Sequence, residues 1–304
     1  MLTLFDEEPE LSAPLIVSRC GLKAIARSVR SFVILFMALI IAGCASASLN
    51  PEQLTGADWA LIAVNSNGEG NNLQTVAVLD GGISSTALVS TSVVDSWQAE
   101  SLDGQPTGTH GDEVAALIAG RGTSVQGKVD LLDVRVLNAD GIGDPEDIAE
   151  GILWSVSAGA DIISMSLRLT SDNEQVREAV QIAQNAGVIL VASAANDFIE
   201  SPTYPAEYSG VIGVTGVDRN LERAQLARSR GADIVAPGQD IQIATGREQI
   251  ESVSGTSMAT ALATGVISKC LDPNWESAEI LRYAESLETK ILFDKRKLPL
   301  LRCP

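Results

Sequence analysis

Histidine and basic residues are scarce in this sequence. It contains one histidine, His110, and 21 lysines and arginines against 39 aspartates and glutamates, which gives a formal net charge of −18. Such an acidic excess argues against nucleic acid as a partner, because phosphates attract basic surfaces. Any reaction that needs an imidazole as proton acceptor must use His110.

The sequence also lacks an apolar run long enough to span a bilayer as a helix. The apolar stretch at residues 32–41 is far shorter than the roughly 20 residues that a spanning helix needs. It follows Lys23, Arg27 and Arg30, and a short apolar stretch after basic residues is typical of a secretory signal peptide. We therefore expect an exported protein whose leader covers residues 1–43.

The leader ends in a segment that resembles the lipobox of bacterial lipoproteins. Residues 39–44 read LIIAGC, and the resemblance implies that Cys44 is lipidated and becomes the mature amino terminus. The alternative is an ordinary signal peptide cleaved near Ala45 or Ala47. Lipidation would anchor the chain to a membrane without spanning it, since each buried methylene contributes about 0.8 kcal/mol.

This anchor also predicts where the protein resides. A residue other than aspartate after the lipidated cysteine, here Ala45, is associated with the outer membrane in many bacteria. We expect a lipid-anchored protein of the bacterial cell envelope, at the outer membrane and facing the periplasm or the cell exterior. Residues 44–49 would be a short tether, and residues 50–304, without internal repeats or a low-complexity linker, one domain.

Only four cysteines are present. Cys20 would leave with the leader and Cys44 would carry lipid, so Cys270 and Cys303 remain in the exported domain. Two cysteines in an oxidising compartment can pair, but two free thiols are equally compatible with the sequence, because a sequence does not show proximity.

A turn of small residues leads into a helix at residues 254–260, which read SGTSMAT. The pattern places Ser257 at the amino terminus of that helix, where free backbone N–H groups and the helix dipole stabilise negative charge. Acyl transfer develops such a charge on the attacked carbonyl oxygen. A serine hydroxyl still needs a base to become a good nucleophile, and His110 is the available imidazole.

Two further segments carry the groups that such a serine requires. Small and apolar residues at helical spacing follow His110, so this histidine lies near the start of a second helix. The apolar run at residues 75–79 predicts a strand buried on both faces, and it ends in Asp80. A carboxylate at the carboxyl end of a parallel strand lies where open α/β sheets place their chemistry.

These segments resemble the catalytic blocks of the subtilisin-like serine proteases, in that family's order of aspartate, histidine and serine. The resemblance implies that Ser257 is the nucleophile, His110 the general acid and base, and Asp80 the group that orients the imidazole. It also implies an α/β fold, a three-layer sandwich with a mostly parallel central sheet. Asn196 matches the asparagine that stabilises the oxyanion in this family.

The resemblance extends to the residues that bind substrate. The family holds an extended peptide between two edges by main-chain hydrogen bonds. The positions that match the first edge are Gly141, Ile142 and Gly143, and those that match the second are Ser166, Leu167 and Arg168. Ala194 and Ala195, which precede Asn196, match further substrate-binding positions of the family. The family also has a cis peptide bond where Tyr204 precedes Pro205, which implies a cis bond here.

The sequence departs from the family pattern near the proposed centre. Gly81 and Arg168 replace a serine and a glycine, Ala195 replaces a glycine, and Asp112 and Glu113 are unusual after the histidine. We expect a serine endopeptidase that acts on proteins or peptides through an acyl-enzyme. The alternative is a catalytically inactive lipoprotein of this fold that binds extended polypeptides.

No metal or cofactor is expected from the sequence. Many subtilisin-like enzymes carry an asparagine-rich calcium loop after the histidine helix, and the connection at residues 123–128 is too short to match it. The expected partners are protein or peptide substrates and, through the lipid, a membrane.

Overall fold

The computed structural model describes residues 59–65, 73–87, 89, 92–104, 106, 109–119, 128–194, 196, 202–244, 250–293 and 295–304. The predicted leader, the lipidation site Cys44, the tether and Ala195 lie outside these ranges. No helix in the described ranges has both the length and the apolar character that a membrane crossing requires.

A seven-stranded sheet forms the centre of the described structure, and every strand pairing within it is parallel. Its spatial order is β2-β3-β1-β4-β5-β6-β7. The strands are β1 (Thr75–Asp80), β2 (Val93–Gln98), β3 (Asp130–Arg135), β4 (Ile162–Met165), β5 (Ile189–Ser193), β6 (Ile212–Val217) and β7 (Ile234–Pro237). The sequence-based prediction of a mostly parallel central sheet is confirmed.

Helices cover both faces of this sheet. They are α1 (Trp59–Ala63), α2 (Thr109–Ala119), α3 (Pro145–Ser157), α4 (Glu174–Asn185), α5 (Thr256–Cys270) and α6 (Ser277–Ser286). Val76 and Val78 of β1 belong to the core that contains α2 and α5, whereas Ala77 and Leu79 belong to the core that contains α3 and α4. Because successive residues of a strand point to opposite faces, β1 is buried on both sides between two helical layers.

Small antiparallel hairpins complete the described structure. One consists of β8 (Ile241–Ala244) and β9 (Ile250–Val253), and the other of β10 (Lys290–Phe293) and β11 (Arg296–Pro299). Sequence patterns did not indicate β2 or the β8–β9 hairpin, because β2 is a largely exposed edge strand and these short segments lack a long apolar run.

Helices α2 and α5 pack against each other. They begin with the predicted histidine and serine blocks, and a hydrogen bond joins their carboxyl-terminal ends. The buried Lys269 of α5 donates a hydrogen bond from Nζ to the carbonyl oxygen of Ile118 in α2, at 2.5 Å. Burial lowers the pKa of Lys269 to about 7. The contact satisfies a carbonyl in the last turn of α2, which has no partner within its own helix.

The last residue of α5 is covalently tied to the end of the chain. Cys270 and Cys303 form a disulfide with a Cα–Cα distance of 5.2 Å, so the pairing that the sequence left open is present in the structure. Elsewhere, the Tyr204–Pro205 peptide bond is cis, as predicted.

Reducing the Cys270–Cys303 disulfide should lower the free energy of unfolding by about 4 kcal/mol, because the bond restricts the unfolded chain over a separation of 33 residues. Urea unfolding of the oxidised and the reduced protein measures the difference without any change of side-chain volume. A difference below about 1 kcal/mol would show that the bond does not act in this way.

Candidate active site

A carboxylate and the single imidazole of the chain meet at the carboxyl end of β1. Nδ1 of His110 lies 2.9 Å from both carboxylate oxygens of Asp80, and the N–H of Gly81 donates to Asp80 Oδ1 at 2.7 Å. Asp80 is buried, with 1% of its surface exposed. Since an ionised carboxylate only accepts hydrogen bonds, Nδ1 of the neutral imidazole carries the proton, and Nε2 is left as an acceptor.

The first turn of α2 approaches the turn after β1 because residue 111 is glycine. A β-carbon on Gly111 would lie 2.2 Å from the carbonyl oxygen of Gly82, a distance that no side chain tolerates. The backbones of the two segments are therefore in direct contact. This contact brings His110, the second residue of α2, beside Asp80.

The pKa of His110 is raised above its usual 6.5. Burial is the largest single effect and lowers the pKa, but the hydrogen bond to Asp80 and the charges of Asp80 and Glu113 together outweigh it. The negative groups stabilise the imidazolium, which is the form that a general base acquires after it has accepted a proton. Glu113 itself has a raised pKa, first because of burial, with a further contribution from the charge of Glu251.

Ser257 is the second residue of α5 and is 8% exposed. The preceding Gly255 has φ 153°, a conformation that other L-residues rarely adopt, and its N–H donates to the carbonyl oxygen of Gly238 at 2.8 Å. The sharp turn at this glycine starts the helix close to the sheet. Ser257 therefore lies in the first turn of a helix, at the positive end of its dipole.

Thr256 joins the start of α5 to the segment that follows β5. Its N–H donates to Oδ1 of Asn196 at 2.9 Å, and its hydroxyl donates to the carbonyl oxygen of Ala194 at 2.7 Å. Oδ1 of the exposed Asn196 side chain accepts from Thr256, and the other atom of the same amide, Nδ2, is a hydrogen-bond donor. The structure thus brings Asn196 to the same helix terminus as Ser257.

A cavity of about 340 Å³ adjoins His110. Its walls include Asp80, His110, Gly141 and Ser166, so two of the predicted catalytic residues share one depression with residues from both predicted substrate edges. The hydroxyl of Ser166 is buried and has no hydrogen-bond partner within the described part of the chain.

The first predicted substrate edge, residues 141–143, is shaped by Asn138. The side-chain oxygen of Asn138 accepts hydrogen bonds from the N–H groups of Asp140 and Ile142, and the backbone N–H of Asn138 donates to the carbonyl oxygen of Ile142. Gly141 lies in the left-handed region at φ 73°, and the side chain of Ile142 is exposed. The edge is therefore exposed to solvent, although the N–H of Gly141 and both backbone groups of Ile142 already pair with Asn138.

The second predicted edge follows β4. The side chains of Ser166 and Leu167 are buried, and Arg168 is exposed. The next residue, Leu169, exchanges backbone hydrogen bonds with Tyr204 at 2.8 and 3.0 Å. Ala194 is also buried, so Leu167 and Ala194 can contribute mainly backbone to a cleft.

The site predicted from the sequence did not include two carboxylates that contact the turn after Asp80. Asp112 accepts hydrogen bonds from Ser84, and Asp133 accepts one from the N–H of Ile83. One sequence signal could have identified Asp133, because it is an acidic residue inside an otherwise apolar buried strand. Among the described residues, no group of three or more histidine, cysteine, aspartate or glutamate side chains is placed to hold a metal ion.

The described contacts form two sets of groups that nucleophilic acyl transfer uses, Asp80 with His110 and the start of the Ser257 helix with Asn196. A buried carboxylate orients an imidazole, a serine hydroxyl lies at a helix amino terminus, and an amide donor lies beside that terminus. Such groups can remove a hydroxyl proton and stabilise a developing oxyanion.

Comparison with known proteins matches residues 71–290 to the subtilase family. Subtilisin BL from Lederbergia lenta is 33% identical over 224 residues, which cover 71% of this chain and 83% of that protein. Alkaline elastase YaB from a Bacillus strain is 33% identical over 228 residues, covering 71% of this chain but 59% of the relative. The structure of a cold-adapted subtilisin-like serine proteinase superposes with a TM-score of 0.66 and 24% identity, over 78% of this chain and 91% of that one.

The His110 ring should titrate above pH 6.5, and Asp80→Asn should lower its pKa because the substitution removes the charge that stabilises the imidazolium. Glu113→Gln should lower it by less. Because the chain has one histidine, a proton NMR titration of untagged protein follows a single imidazole. Glu174→Gln, at the start of α4, is the control and should leave the pKa unchanged. An identical pKa in wild type and Asp80→Asn would contradict the assignment.

Proposed function

Because the chain belongs to the subtilase family, and is on that ground a serine endopeptidase, we propose that Ser257, His110 and Asp80 form its catalytic triad. The observation that carries this proposal is the contact of His110 Nδ1 with both carboxylate oxygens of Asp80, at 2.9 Å. That contact leaves Nε2 of the imidazole to accept a proton from a nucleophile.

In the proposed reaction, the Ser257 hydroxyl attacks the carbonyl carbon of a peptide bond while His110 Nε2 accepts its proton. The new C–O bond converts the carbonyl into a tetrahedral oxyanion. Collapse of this intermediate breaks the C–N bond, and His110 returns the proton to the leaving amine, which leaves an acyl-enzyme on Ser257. A water molecule then attacks the ester by the same steps, and the acid product and the free serine are released.

The oxyanion requires donors in the place where negative charge develops. We assign this role to the backbone N–H of Ser257 and to the side-chain amide of Asn196. The hydrogen bond from Thr256 N to Asn196 Oδ1 supports the assignment, because it fixes the amide group at the start of α5. The dipole of α5 adds positive potential at the same end of the helix.

Asp80 contributes in two ways. It fixes the tautomer of His110, and its charge stabilises the imidazolium that forms when Ser257 gives up its proton. The raised pKa of His110 has a consequence for activity, since only the neutral ring can accept a proton. Activity should therefore rise with pH as the solution passes through the His110 pKa.

An extended peptide would bind by adding to the two predicted edges. Residues 141–143 form an exposed edge on one side of the His110 cavity, and Ser166 lies on its wall. We assign substrate contacts to Gly141, Ile142, Gly143, Ser166, Leu167, Arg168 and Ala194, and to Ala195 on the strength of the sequence resemblance.

A fluorophosphonate probe should label the wild-type protein covalently and should not label Ser257→Ala, because the probe reacts with an activated serine hydroxyl. His110→Ala should be labelled far more slowly, since no base remains. Ser254→Ala is a matched control. Ser254 lies three positions before Ser257, and its hydroxyl accepts a hydrogen bond from the N–H of Asp240, so the loss of this hydroxyl should leave labelling intact.

Labelling is measured by gel fluorescence or intact mass. An unlabelled wild type would contradict the proposal. If that unlabelled protein still captured peptides without turnover, the chain would be a polypeptide-binding protein of the same fold.

We also propose that Cys44 carries the lipid that anchors the enzyme in the cell envelope. The support is the lipobox-like segment at residues 39–44, which follows a basic region and an apolar stretch. Several acyl chains on one residue hold a protein firmly at a bilayer surface. With Ala45 next in the sequence, we assign the anchor to the outer membrane.

Cells fed labelled palmitate should incorporate it into the wild-type protein and into Cys20→Ala, but not into Cys44→Ala. The two substitutions remove the two cysteines that lie before the described domain, so they are matched controls. Membrane fractionation in the same experiment should recover the wild type with the outer membrane and release Cys44→Ala from it. Label on Cys44→Ala would exclude this anchor.

A further inference from the structure

The turn that follows Asp80 is held by two carboxylates from other elements. Asp112 of α2 accepts the N–H of Ser84 at 2.7 Å and its hydroxyl at 2.6 Å. Asp133 of β3 accepts the N–H of Ile83 at 3.0 Å. The turn is thus bonded on one side to the helix of His110 and on the other to the neighbouring strand.

The residues of the turn itself can do little to fix Asp80. Gly81 and Gly82 follow it directly, and glycine has the largest conformational freedom of any residue. The N–H of Gly81 nevertheless donates to Asp80 Oδ1, so the direction of this N–H affects the carboxylate. The peptide unit that contains this N–H is held by the Asp80 carbonyl oxygen, which accepts the N–H groups of Val136 at 2.9 Å and Leu137 at 3.1 Å. The bonds to Ile83 and Ser84 fix the part of the turn that lies beyond the two glycines.

Asp133 lies in a place where a carboxylate is costly. It is in register with Val78 of β1, between Leu132 and Val134, and it is 8% exposed. Burial is the main cause that raises its pKa, the charges of Asp112 and Asp80 add to the rise, and the Ile83 N–H and the charge of Arg135 oppose it, so that the pKa of Asp133 is about 6. The carboxylate supplies the acceptor for the buried N–H of Ile83, which an apolar residue at this position would leave unpaired.

The charged groups around Asp133 are Asp80 on β1, Asp112 on α2 and Arg135 on β3. The guanidinium of Arg135 donates to Gln98, to the carbonyl oxygen of Gly104 and to that of Asp103. An ionised Asp133 therefore adds negative potential beside Asp80, which is the partner of His110. Negative potential favours imidazolium, as Asp80 itself does.

We propose that Asp112 and Asp133 are positioning residues of the catalytic centre, which clamp the Gly81–Ser84 turn and thereby hold Asp80 against His110. The proposal rests on the catalytic roles assigned to Asp80 and His110. In this role each carboxylate acts through the turn.

The first test distinguishes the effect of the hydrogen bond to Ile83 from the effect of the negative charge. Asp133→Ala removes both, whereas Asp133→Asn keeps an oxygen that can accept the Ile83 N–H. Asp133→Ala should lower kcat about 10- to 100-fold with KM nearly unchanged, because a small displacement of a catalytic group has a large effect on rate. Asp133→Asn should keep most of kcat, and the acidic limb of its kcat/KM profile should move to lower pH.

Asp233 provides the matched control. It is also a carboxylate with a pKa raised by burial, and it accepts the N–H of Gly213 at 3.0 Å, but it precedes β7 at the opposite end of the parallel sheet. Asp233→Ala should reduce thermal stability without changing kcat or the acidic limb. Equal losses of kcat in Asp133→Ala and Asp233→Ala would overturn the proposal.

A second pair of variants keeps the test decisive if Asp133→Ala does not fold. Ser84→Ala removes the hydroxyl that donates to Asp112 and leaves the backbone bond in place, so kcat should fall several-fold. The adjacent exposed Ser85→Ala should not change it. Equal kcat values in these two variants would overturn the proposal for Asp112.

The His110 titration separates this proposal from the assignment of function. In Asp133→Asn the His110 pKa should be lower than in wild type by a few tenths, whether or not the protein turns over substrate. An inactive wild type in which this shift is present would refute the proposed function and leave the electrostatic link intact. An active wild type in which Asp133→Asn leaves both the His110 pKa and the acidic limb unchanged would refute the link.

Discussion

The contact between Asp80 and His110 is the interaction on which the rest of the site depends. Burying a carboxylate is unfavourable unless hydrogen bonds and an opposite charge compensate for its lost hydration. Asp80 has the Gly81 N–H and the His110 ring as partners, and it becomes fully compensated when the ring is protonated. Asp80 therefore stabilises the protonated form of His110. This is the form that a general base takes once it has accepted a proton.

The parallel sheet places these groups at one edge of the fold. The carboxyl ends of β1 and β5 lie at the same edge, and helices α2 and α5 begin there with His110 and Ser257. Glycines allow both helices to begin close to the sheet, through the Gly111 contact and the Gly255 turn. At the far ends of the two helices, the Lys269 contact and the disulfide fix α5, so the serine helix is held at both ends.

Much of this arrangement could be predicted from the sequence because it depends on local patterns. The apolar run before Asp80, the small residues after His110 and the turn before Ser257 each determine their own element, and the observed bounds of β1, α2 and α5 agree with them. The contacts around Gly81–Ser84 could not be predicted, since Asp112 and Asp133 lie 28 and 50 residues from their partners. The same reason left the pairing of Cys270 with Cys303 open. Edge strand β2 was missed because exposure removes the apolar pattern that marks a buried strand.

A crystal structure of the protein after reaction with a peptidyl phosphonate would test the central claim most directly. The account predicts a covalent bond from phosphorus to Ser257 Oγ, and a phosphonyl oxygen within hydrogen-bond distance of the Ser257 N–H and of Asn196 Nδ2. His110 should remain bonded to Asp80 through Nδ1, with Nε2 facing the adduct. An adduct on another residue, or a His110 ring turned away from both Asp80 and the adduct, would contradict the account.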